Sequence, residues 1–266
     1  MFAYLLLNIT ICFAITLSSF ALAWVLSHSG QEHSKKSKPA LWALVMFWVL
    51  VGAIYLPTTL GMISAYQGIL WLDQLMYYLA AIPFAFLSAP LVYFIIYVIM
   101  GNGLASRYIS LAFVLFGALY LFLLYSSGVV GPVVTEWGSL FSINDSIAIN
   151  VYLVGLFVLP TAMVLGLLLL MLLQRVPKRL RYRTTLPLVA ISFVFDFILT
   201  DFISVIDLMQ VAARLFVLIG VVLAFLAYFP PMTLQEKLRI VDLQYEIYEN
   251  ADEMELDPGY EGKFNA

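Results

Sequence analysis

The sequence predicts an all-α integral membrane protein: a bundle of seven transmembrane helices with its N-terminus outside and its C-terminus in the cytoplasm. Hydrophobic residues make up 64% and charged residues 11% of the 266 residues, and the mean hydropathy is +1.00. A soluble domain is roughly half apolar and about a quarter charged. Seven apolar runs approach the roughly 20 residues that a bilayer span requires. Every lysine and arginine except Arg214 lies in alternate loops or in the C-terminal tail.

The first three spans are predicted at 1–25, 39–62 and 75–100. A polar loop at 28–38 separates the first two spans. A short, weakly polar loop at 67–74 precedes the third span. The first apolar run is too long for the core of a signal peptide, so we expect it to be retained as a span.

Two prolines, Pro83 and Pro90, lie inside the third span and on nearly one face of it. Proline removes a backbone hydrogen bond and kinks a helix. One interpretation is that the kink opens a cavity against neighbouring helices, and the other is a bent but fully packed helix. The side chains that would line such a cavity are Tyr77, Tyr78, Tyr120 and Tyr152.

The last four spans are predicted at 108–126, at 147–173, and in a hairpin of two spans over 184–229. A tight loop at 101–107 precedes the fourth span. The segment 128–146 is the longest external loop. The expected transmembrane domain therefore covers residues 1–231, up to the proline pair that follows the last span.

The distribution of basic residues predicts the orientation. Every lysine and arginine except Arg214 lies in the loops after spans one, three and five or in the C-terminal tail. The positive-inside rule places these segments in the cytoplasm and predicts a multi-pass protein of the cell membrane. The most basic loop either binds anionic lipid headgroups or a cytoplasmic partner, or only sets the topology. Its residues are Arg175, Lys178, Arg179, Arg181 and Arg183.

The last two spans contain a charged stretch, Phe195–Leu215. Charges within a membrane hairpin are costly and usually have partners. If the turn has its midpoint near Asp207 and Leu208, Asp201 and Arg214 are equidistant from it. Equidistant residues of an antiparallel hairpin lie at equal depth, which predicts a structural ion pair between Asp201 and Arg214.

The two remaining acids of this stretch and a nearby threonine are a candidate polar pocket or proton site. Its residues are Asp196, Thr200 and Asp207. Asp196 and Asp207 are eleven residues apart and share a helix face. Asp196 lies deep in its span with no evident partner. The alternative is that the ion pair only holds the hairpin together and that Asp207 faces water.

The tail after the last span is predicted to contain a cytoplasmic amphipathic helix at 232–249 and an acidic, disordered segment at 250–266. The helix has an apolar heptad-like pattern over about two heptads. This face either docks on a protein partner or a second copy of the chain, or it lies along the membrane. Its residues are Leu234, Leu238, Val241, Tyr245 and Tyr248.

Several kinds of chemistry have no basis in the sequence. The one cysteine is Cys12, and the two histidines, His28 and His33, lie in a loop. No HExxH motif or cysteine cluster occurs. The last span has no lysine for a retinal Schiff base. We therefore expect no enzyme activity, no metal or other cofactor and no nucleic-acid partner.

The chain leaves its last span through Tyr228-Phe229-Pro230-Pro231 and continues into the predicted tail helix. This exit, the seven spans, the outside N-terminus and the short charged hairpin resemble the seven-span sensor region of prokaryotic histidine kinases. The 35 residues after Pro231 contain no histidine and no room for a kinase domain. The resemblance therefore implies a sensor that acts through a partner.

Three hypotheses of different classes follow from the sequence. The chain is a sensor or receptor-like module, an accessory or assembly subunit of a larger membrane complex, or, ranked lower, a transporter of a small solute or ion. The topology and the tail favour the sensor. A full set of spans without a catalytic motif favours the subunit, and the deep carboxylate of Asp196 favours the transporter.

Overall fold

The computed structural model describes residues 3–29, 38–101, 103–143, 147–173 and 178–229. These residues form eight helices and two short strands. In chain order they are α1 (Ala3–Ser29), α2 (Lys38–Tyr66), α3 (Leu70–Phe86), α4 (Ser88–Met100), α5 (Gly103–Ser127), β1 (Val129–Val134), β2 (Ser139–Ile143), α6 (Ile147–Leu173), α7 (Lys178–Ile203) and α8 (Asp207–Tyr228).

The prediction of seven membrane-spanning helices is confirmed. Seven helical segments are long and apolar enough to cross a membrane, with α3 and α4 together forming the third. Three helices begin earlier than expected, at Leu70, Gly103 and Lys178. The boundaries were wrong because a helix continues past its apolar core into the polar interface, where hydropathy no longer marks it.

The hydrogen-bond pattern of the third span is interrupted at Leu87, between α3 and α4, although the Leu87 backbone angles stay helical (φ −60°, ψ −35°). The Leu87 amide bonds to the Phe84 carbonyl at 3.2 Å, a tighter turn than the helical pattern. Pro90 has no amide hydrogen, so it cannot donate to the carbonyl of Phe86 four residues earlier. The kink expected from Pro83 and Pro90 is therefore a break one turn before Pro90.

Helix α5 approaches this break through Gly117. A Cβ atom added at Gly117 would lie 2.4 Å from the carbonyl oxygen of Ala85. No real Cβ contact is that short, so the missing side chain is what allows the two backbones to meet. Small residues at helix interfaces permit this close approach within membranes.

Helix α2 lies at the centre of the bundle and packs against α1, α3 and α4. Its Trp48 and Tyr55 are fully buried. Helices α7 and α8 pack closely against each other, and α8 also contacts α1. Helix α5 has the smallest buried share of the seven spans, 22%, and its many exposed apolar side chains are suited to lipid.

A β-hairpin between α5 and α6 corrects the prediction of an all-α chain. Strands β1 and β2 pair antiparallel, with Val129 opposite Ile143 and Val134 opposite Ser139. Valine-rich runs favour extended backbone. The register is irregular between Val130 and Val133, where Pro132 cannot donate a ladder hydrogen bond. The external loop expected at 128–146 therefore contains a folded element.

The hairpin lies at the same end of the bundle as the α2–α3 and α7–α8 connections, because successive spans alternate in direction. We call this the hairpin end. The opposite end carries the segments after α1, α4, α6 and α8. Asn8 of α1 and Gln210 of α8 both lie beside the hairpin, which places their helix starts at the hairpin end as well.

Candidate functional site: a charged cavity beneath the hairpin

Asp201 of α7 and Arg214 of α8 form a buried ion pair. Arg214 Nε lies 2.9 Å from Asp201 Oδ1 and 3.1 Å from Oδ2. The side chains of both residues are less than a tenth exposed. In the low-dielectric interior such a pair attracts strongly, but only good geometry offsets the loss of hydration.

The pair forms although the predicted turn midpoint was wrong. Helix α7 ends at Ile203 and α8 begins at Asp207, so the turn centres on Val205. Arg214 is then five residues further from the turn than Asp201, about 7.5 Å of helix rise. Side chains lean towards the N-terminus of their own helix. The long Arg214 side chain therefore reaches back towards the turn and meets Asp201.

Side chains from other helices complete the surroundings of the pair. The Tyr55 hydroxyl of α2 donates to Asp201 Oδ2 at 3.2 Å. Arg214 Nη2 donates to Gln210 Oε1 at 3.4 Å, and Nη1 contacts Met62 Sδ at 3.2 Å. A thioether sulfur is a weak acceptor. Arg214 also lies within hydrogen-bonding reach of the buried Cys12 sulfur, another weak acceptor.

The tip of the hairpin is held on this cluster by α1. Asn8 Nδ2 donates to the Trp137 carbonyl at 2.6 Å. The Trp137 ring stacks on Tyr4 with ring centroids 4.3 Å apart. A Cβ atom added at the next residue, Gly138, would lie 3.3 Å from Asn8 Nδ2 and 4.0 Å from Arg214 Nη1. Gly138 therefore brings the hairpin backbone down onto the buried charges.

Thr135 shapes the turn at the tip. Its Oγ1 accepts hydrogen bonds from the amides of Trp137 and Gly138, at 3.3 Å and 3.1 Å. Its own amide donates to the Gly138 carbonyl at 2.7 Å. These hydrogen bonds fix the conformation of the turn in which Trp137 and Gly138 face the helices.

Asp73 is a second buried acid beside the pair, and the sequence analysis missed it. It was assigned to the loop before the third span, but it lies in the first turn of α3 and is only 2% exposed. Ser139 of β2 lies within hydrogen-bonding reach of its carboxyl. Its other oxygen, Oδ2, is buried with no hydrogen-bond partner among the described residues. The signal was an acid within the apolar run Leu70–Leu75.

Gly61 of α2 is what allows the Asp73 carboxyl to fit. A Cβ atom added at Gly61 would lie 2.7 Å from Asp73 Oδ1 and 3.1 Å from Met76 Cβ. One turn further along α3, the Tyr77 hydroxyl is also buried without a partner in the described part of the chain. The Tyr77 ring stacks between Phe141 and Phe202, at centroid distances of 4.4 Å and 5.2 Å.

A cavity lies between these groups. It leaves about 50 Å³ open to the centres of water molecules, whereas one water needs at least about 10–15 Å³ on this measure. Its wall contains two carboxylates and one guanidinium group. The lining residues are Ile54, Pro57, Thr58, Gly61, Met62, Asp73, Tyr77, Ala80, Ser139, Phe141, Ile198, Asp201, Phe202, Gln210 and Arg214.

Asp196 has partners, which corrects the expectation that it has none. Thr161 of α6 donates to Asp196 Oδ1 at 2.5 Å, and Ser192, one turn earlier on α7, donates to Oδ2 at 3.3 Å. The residue is partly exposed rather than fully buried. Its carboxyl therefore ties α7 to α6 and does not line the cavity at the hairpin end.

Of the other two members of the candidate pocket, Thr200 lies one turn from Asp196, whereas Asp207 lies at the start of the next helix. Thr200 Oγ1 donates to the Asp196 backbone carbonyl at 3.0 Å, a contact within its own helix. Asp207 begins α8, and its Oδ1 accepts from the Leu208 amide at 2.8 Å. An acid in the first turn of a helix is favourable for the helix dipole. The predicted pocket of Asp196, Thr200 and Asp207 is therefore wrong as a single site.

The tyrosines expected beside the kinked span also separate. Tyr77 lines the cavity. The Tyr78 hydroxyl accepts from the Val129 amide at 3.1 Å and so anchors the start of β1. Tyr120 is buried near Phe84 in the core, with ring centroids 6.1 Å apart. The side chain of Tyr152 lies outside the described residues.

Two further predicted surfaces lie outside the described residues. Arg175 is not among them, and the four other basic residues fall in the first two turns of α7, where only the backbone is described. The tail with Leu234, Leu238, Val241, Tyr245 and Tyr248 is likewise outside them. Among the described residues, no group of three or more histidine, cysteine, aspartate or glutamate side chains is arranged to hold a metal.

The fold and the site define a multi-pass membrane protein with a charged cavity closed by a β-hairpin. Comparison of the chain with protein families, curated proteins and solved structures finds no match. The function is therefore argued from the site alone.

Proposed function

We propose that the chain is a non-enzymatic, sensor-like membrane module that acts through a protein partner. One observation carries the proposal: the tip of the hairpin contacts the buried charged cluster that joins α2, α7 and α8. An external element is thereby in direct contact with the helix that leads to the tail. A ligand that changes how the tip sits would change the packing around Arg214 in α8.

The contacts at the tip provide a defined coupling. Gly138 meets Asn8, Gln210 and Arg214, and Ser139 meets Asp73. The tip thus touches α1, α3 and α8 at once. A ligand can shift a conformational equilibrium only by binding the two states differently. A ligand in the cavity would bind the two states differently, because Gln210 and Arg214 both line the cavity and contact the hairpin.

The proposed orientation places the hairpin end outside and the C-terminal tail in the cytoplasm of a cell membrane. It is supported by the basic residues, which apart from Arg214 lie at the opposite end and in the tail. In this arrangement the cavity is close to the external surface. The tail from residue 230 then provides the contact with a cytoplasmic partner or a second copy.

The test compares partner capture by two variants in mild detergent. Asn8→Ala removes the hydrogen bond to the tip. Thr10→Ala is the matched control, because its hydroxyl bonds only to Leu6 within α1. A sensor captures its partner at a level that changes in Asn8→Ala and not in Thr10→Ala.

Two other outcomes overturn the sensor. A stable, stoichiometric complex that is identical in wild type and both variants shows an accessory subunit. A lone protein that takes up solute into vesicles shows a transporter.

The orientation can be tested separately by labelling. A cysteine introduced in the tail can be labelled from one side of the membrane, because the native Cys12 is buried and is the one cysteine of the sequence.

A further inference from the structure

The charged cavity has two carboxylates, and only that of Asp201 is in a salt bridge among the described residues. Asp201 is neutralised by Arg214, which contacts both of its oxygens. Asp73 lines the same cavity, is 2% exposed, and its Oδ2 has no hydrogen-bond partner within the described part of the chain. Arg214 attracts Asp73 only at longer range, because its guanidinium group is paired with Asp201. Burying an ionised carboxylate is costly unless a positive charge lies beside it, so an ionised Asp73 favours a second cation in the cavity.

The unsatisfied groups lie on one face of α3. Asp73 and Tyr77 are four residues apart, so they are neighbours one turn apart on the helix surface. Both line the cavity, and Asp73 Oδ2 and Tyr77 Oη are both buried without a partner among the described residues. Buried polar atoms in folded proteins nearly always have a protein or water partner. Two such atoms in one cavity wall indicate an occupant.

We propose that this cavity binds a small monovalent cation of the alkali or ammonium class, held by Asp73 and Tyr77. The inference rests on the proposed function in one respect: the ligand sits beneath the hairpin whose position the sensor reports. The cation supplies the positive charge that Asp73 lacks. The Tyr77 hydroxyl and the Ser139 hydroxyl supply neutral oxygens beside it.

Size and charge both restrict the ligand. The cavity has room for a few water-sized groups, which fits a metal ion with its remaining waters or an ammonium ion. With Asp73, Asp201 and Arg214 ionised, the wall has a net charge of −1, so one positive charge makes the site neutral. A divalent ion would leave an excess positive charge next to Arg214.

The geometry of Gly61 shows that the Asp73 carboxyl is positioned for this role. The carboxyl occupies the space where a side chain on Gly61 would lie, since a Cβ atom there would be 2.7 Å from Oδ1. The Tyr77 ring is fixed on both faces by Phe141 and Phe202. Both groups are therefore held in place before the ligand arrives, which lowers the cost of binding.

The experiment measures binding to the purified full-length chain in detergent. Sodium chloride and ammonium chloride are titrated against N-methyl-D-glucamine chloride at constant ionic strength, and the unfolding temperature and calorimetric heat are recorded. We expect saturable stabilisation of the wild type by one or both small cations. Sodium alone identifies an alkali site, and ammonium alone identifies a site whose oxygens accept hydrogen bonds from N–H groups.

Three variants test the residues. Asp73→Asn should weaken binding about tenfold or more, because it removes a charged hydrogen-bonding group. Gly61→Ala should also weaken it by displacing the Asp73 carboxyl, and Tyr77→Phe should weaken it less. Glu136→Gln is the control, because Glu136 is an exposed acid of the hairpin tip. Before titration, gel filtration in N-methyl-D-glucamine chloride checks that each variant is as well folded as the wild type. Only variants that pass this check are compared.

Two results overturn the site. One is a wild type that responds equally to all three salts. The other is a small-cation response that survives in Asp73→Asn and Gly61→Ala. The two proposals fail separately. If cation binding is absent but partner capture still depends on Asn8, only the cation site is wrong. If the cation binds but capture is the same in Asn8→Ala and Thr10→Ala, only the sensor is wrong.

Discussion

Arg214 Nε donates to both carboxylate oxygens of Asp201, at 2.9 Å and 3.1 Å, and this pair joins the last two helices of the bundle. The same guanidinium group lies beside the hairpin at Gly138. The pair therefore connects two functions of the hairpin end. It holds α7 against α8, and it lies directly beneath the hairpin tip.

Removing one member of the pair is expected to be more harmful than removing both. Asp201→Asn leaves the Arg214 charge buried without its partner and should lower the free energy of unfolding by about 3–5 kcal/mol. The double variant Asp201→Leu with Arg214→Met should lose much less, because no uncompensated charge remains. Unfolding in a denaturing detergent measures both. Equal losses in the single and double variants would show that the charges do not act as a pair.

Gly117 is expected to tolerate no side chain. Gly117→Ala places a Cβ atom against the Ala85 carbonyl and should destabilise the protein by about 1–3 kcal/mol through overpacking. Gly166→Ala is the control, because nothing lies within 4 Å of a Cβ added there and alanine favours the helix. The unfolding temperatures of the two variants should move apart. A Gly117→Ala protein as stable as Gly166→Ala would contradict the close approach of α5 to the broken span.

The hydrogen bond from Asn8 to Trp137 is expected to hold the hairpin tip in place. Asn8→Ala should speed amide hydrogen exchange over 135–139, because the tip loses its polar anchor on α1. Thr10→Ala, two residues away on the exposed face of α1, should leave that exchange unchanged. Mass spectrometry of peptides covering the hairpin gives the answer. Equal exchange in both variants would contradict an anchoring role for the hydrogen bond from Asn8.

Asp196 and Thr161 are expected to be energetically coupled across α7 and α6. Hydrogen bonds between membrane helices average about 0.6 kcal/mol and reach about 1.7 kcal/mol. A double-mutant cycle with Asp196→Asn and Thr161→Val should give a coupling within this range. Ser192→Ala tests the second partner in the same way. A coupling near zero would contradict a stabilising hydrogen bond between Asp196 and Thr161.

The spans could be predicted from the sequence because hydropathy over about 20 residues is a property of long segments. The pairing of Asp201 with Arg214 was predicted, although the turn was misplaced by two or three residues and the two residues do not lie at equal depth. The hairpin predicted at 184–229 begins six residues after the start of α7 at Lys178, which moved its expected midpoint towards the C-terminus. The structure places the turn at 204–206, and the length of the arginine side chain makes up the difference.

Asp73 could not be assigned from the sequence because its environment comes from three distant segments. Gly61 provides the space, Ser139 provides a hydroxyl, and the cavity forms between α2, α3, α7, α8 and β2. The partners of Asp196 were hidden for the same reason, since Thr161 is 35 residues away. Tertiary contacts decide which buried carboxyl group finds hydrogen-bond partners. The periodicity of residues within one helix does not predict these contacts.

The hairpin did have a signal in the sequence. Two runs rich in β-branched and apolar residues, at 129–134 and 139–143, flank the turn at Thr135–Gly138. Such runs separated by a few residues with a glycine are typical of a hairpin. The signal was masked because the segment lies between two spans and contains Pro132, which disfavours a regular strand.

Amide exchange of the hairpin tip in different salts tests most directly whether binding in the cavity stabilises the hairpin above it. Exchange over 135–139 is measured in sodium or ammonium chloride and in N-methyl-D-glucamine chloride at equal ionic strength. The account predicts slower exchange with a small cation in the wild type, and no salt dependence in Asp73→Asn. Exchange of the wild-type tip that is the same in every salt would contradict it.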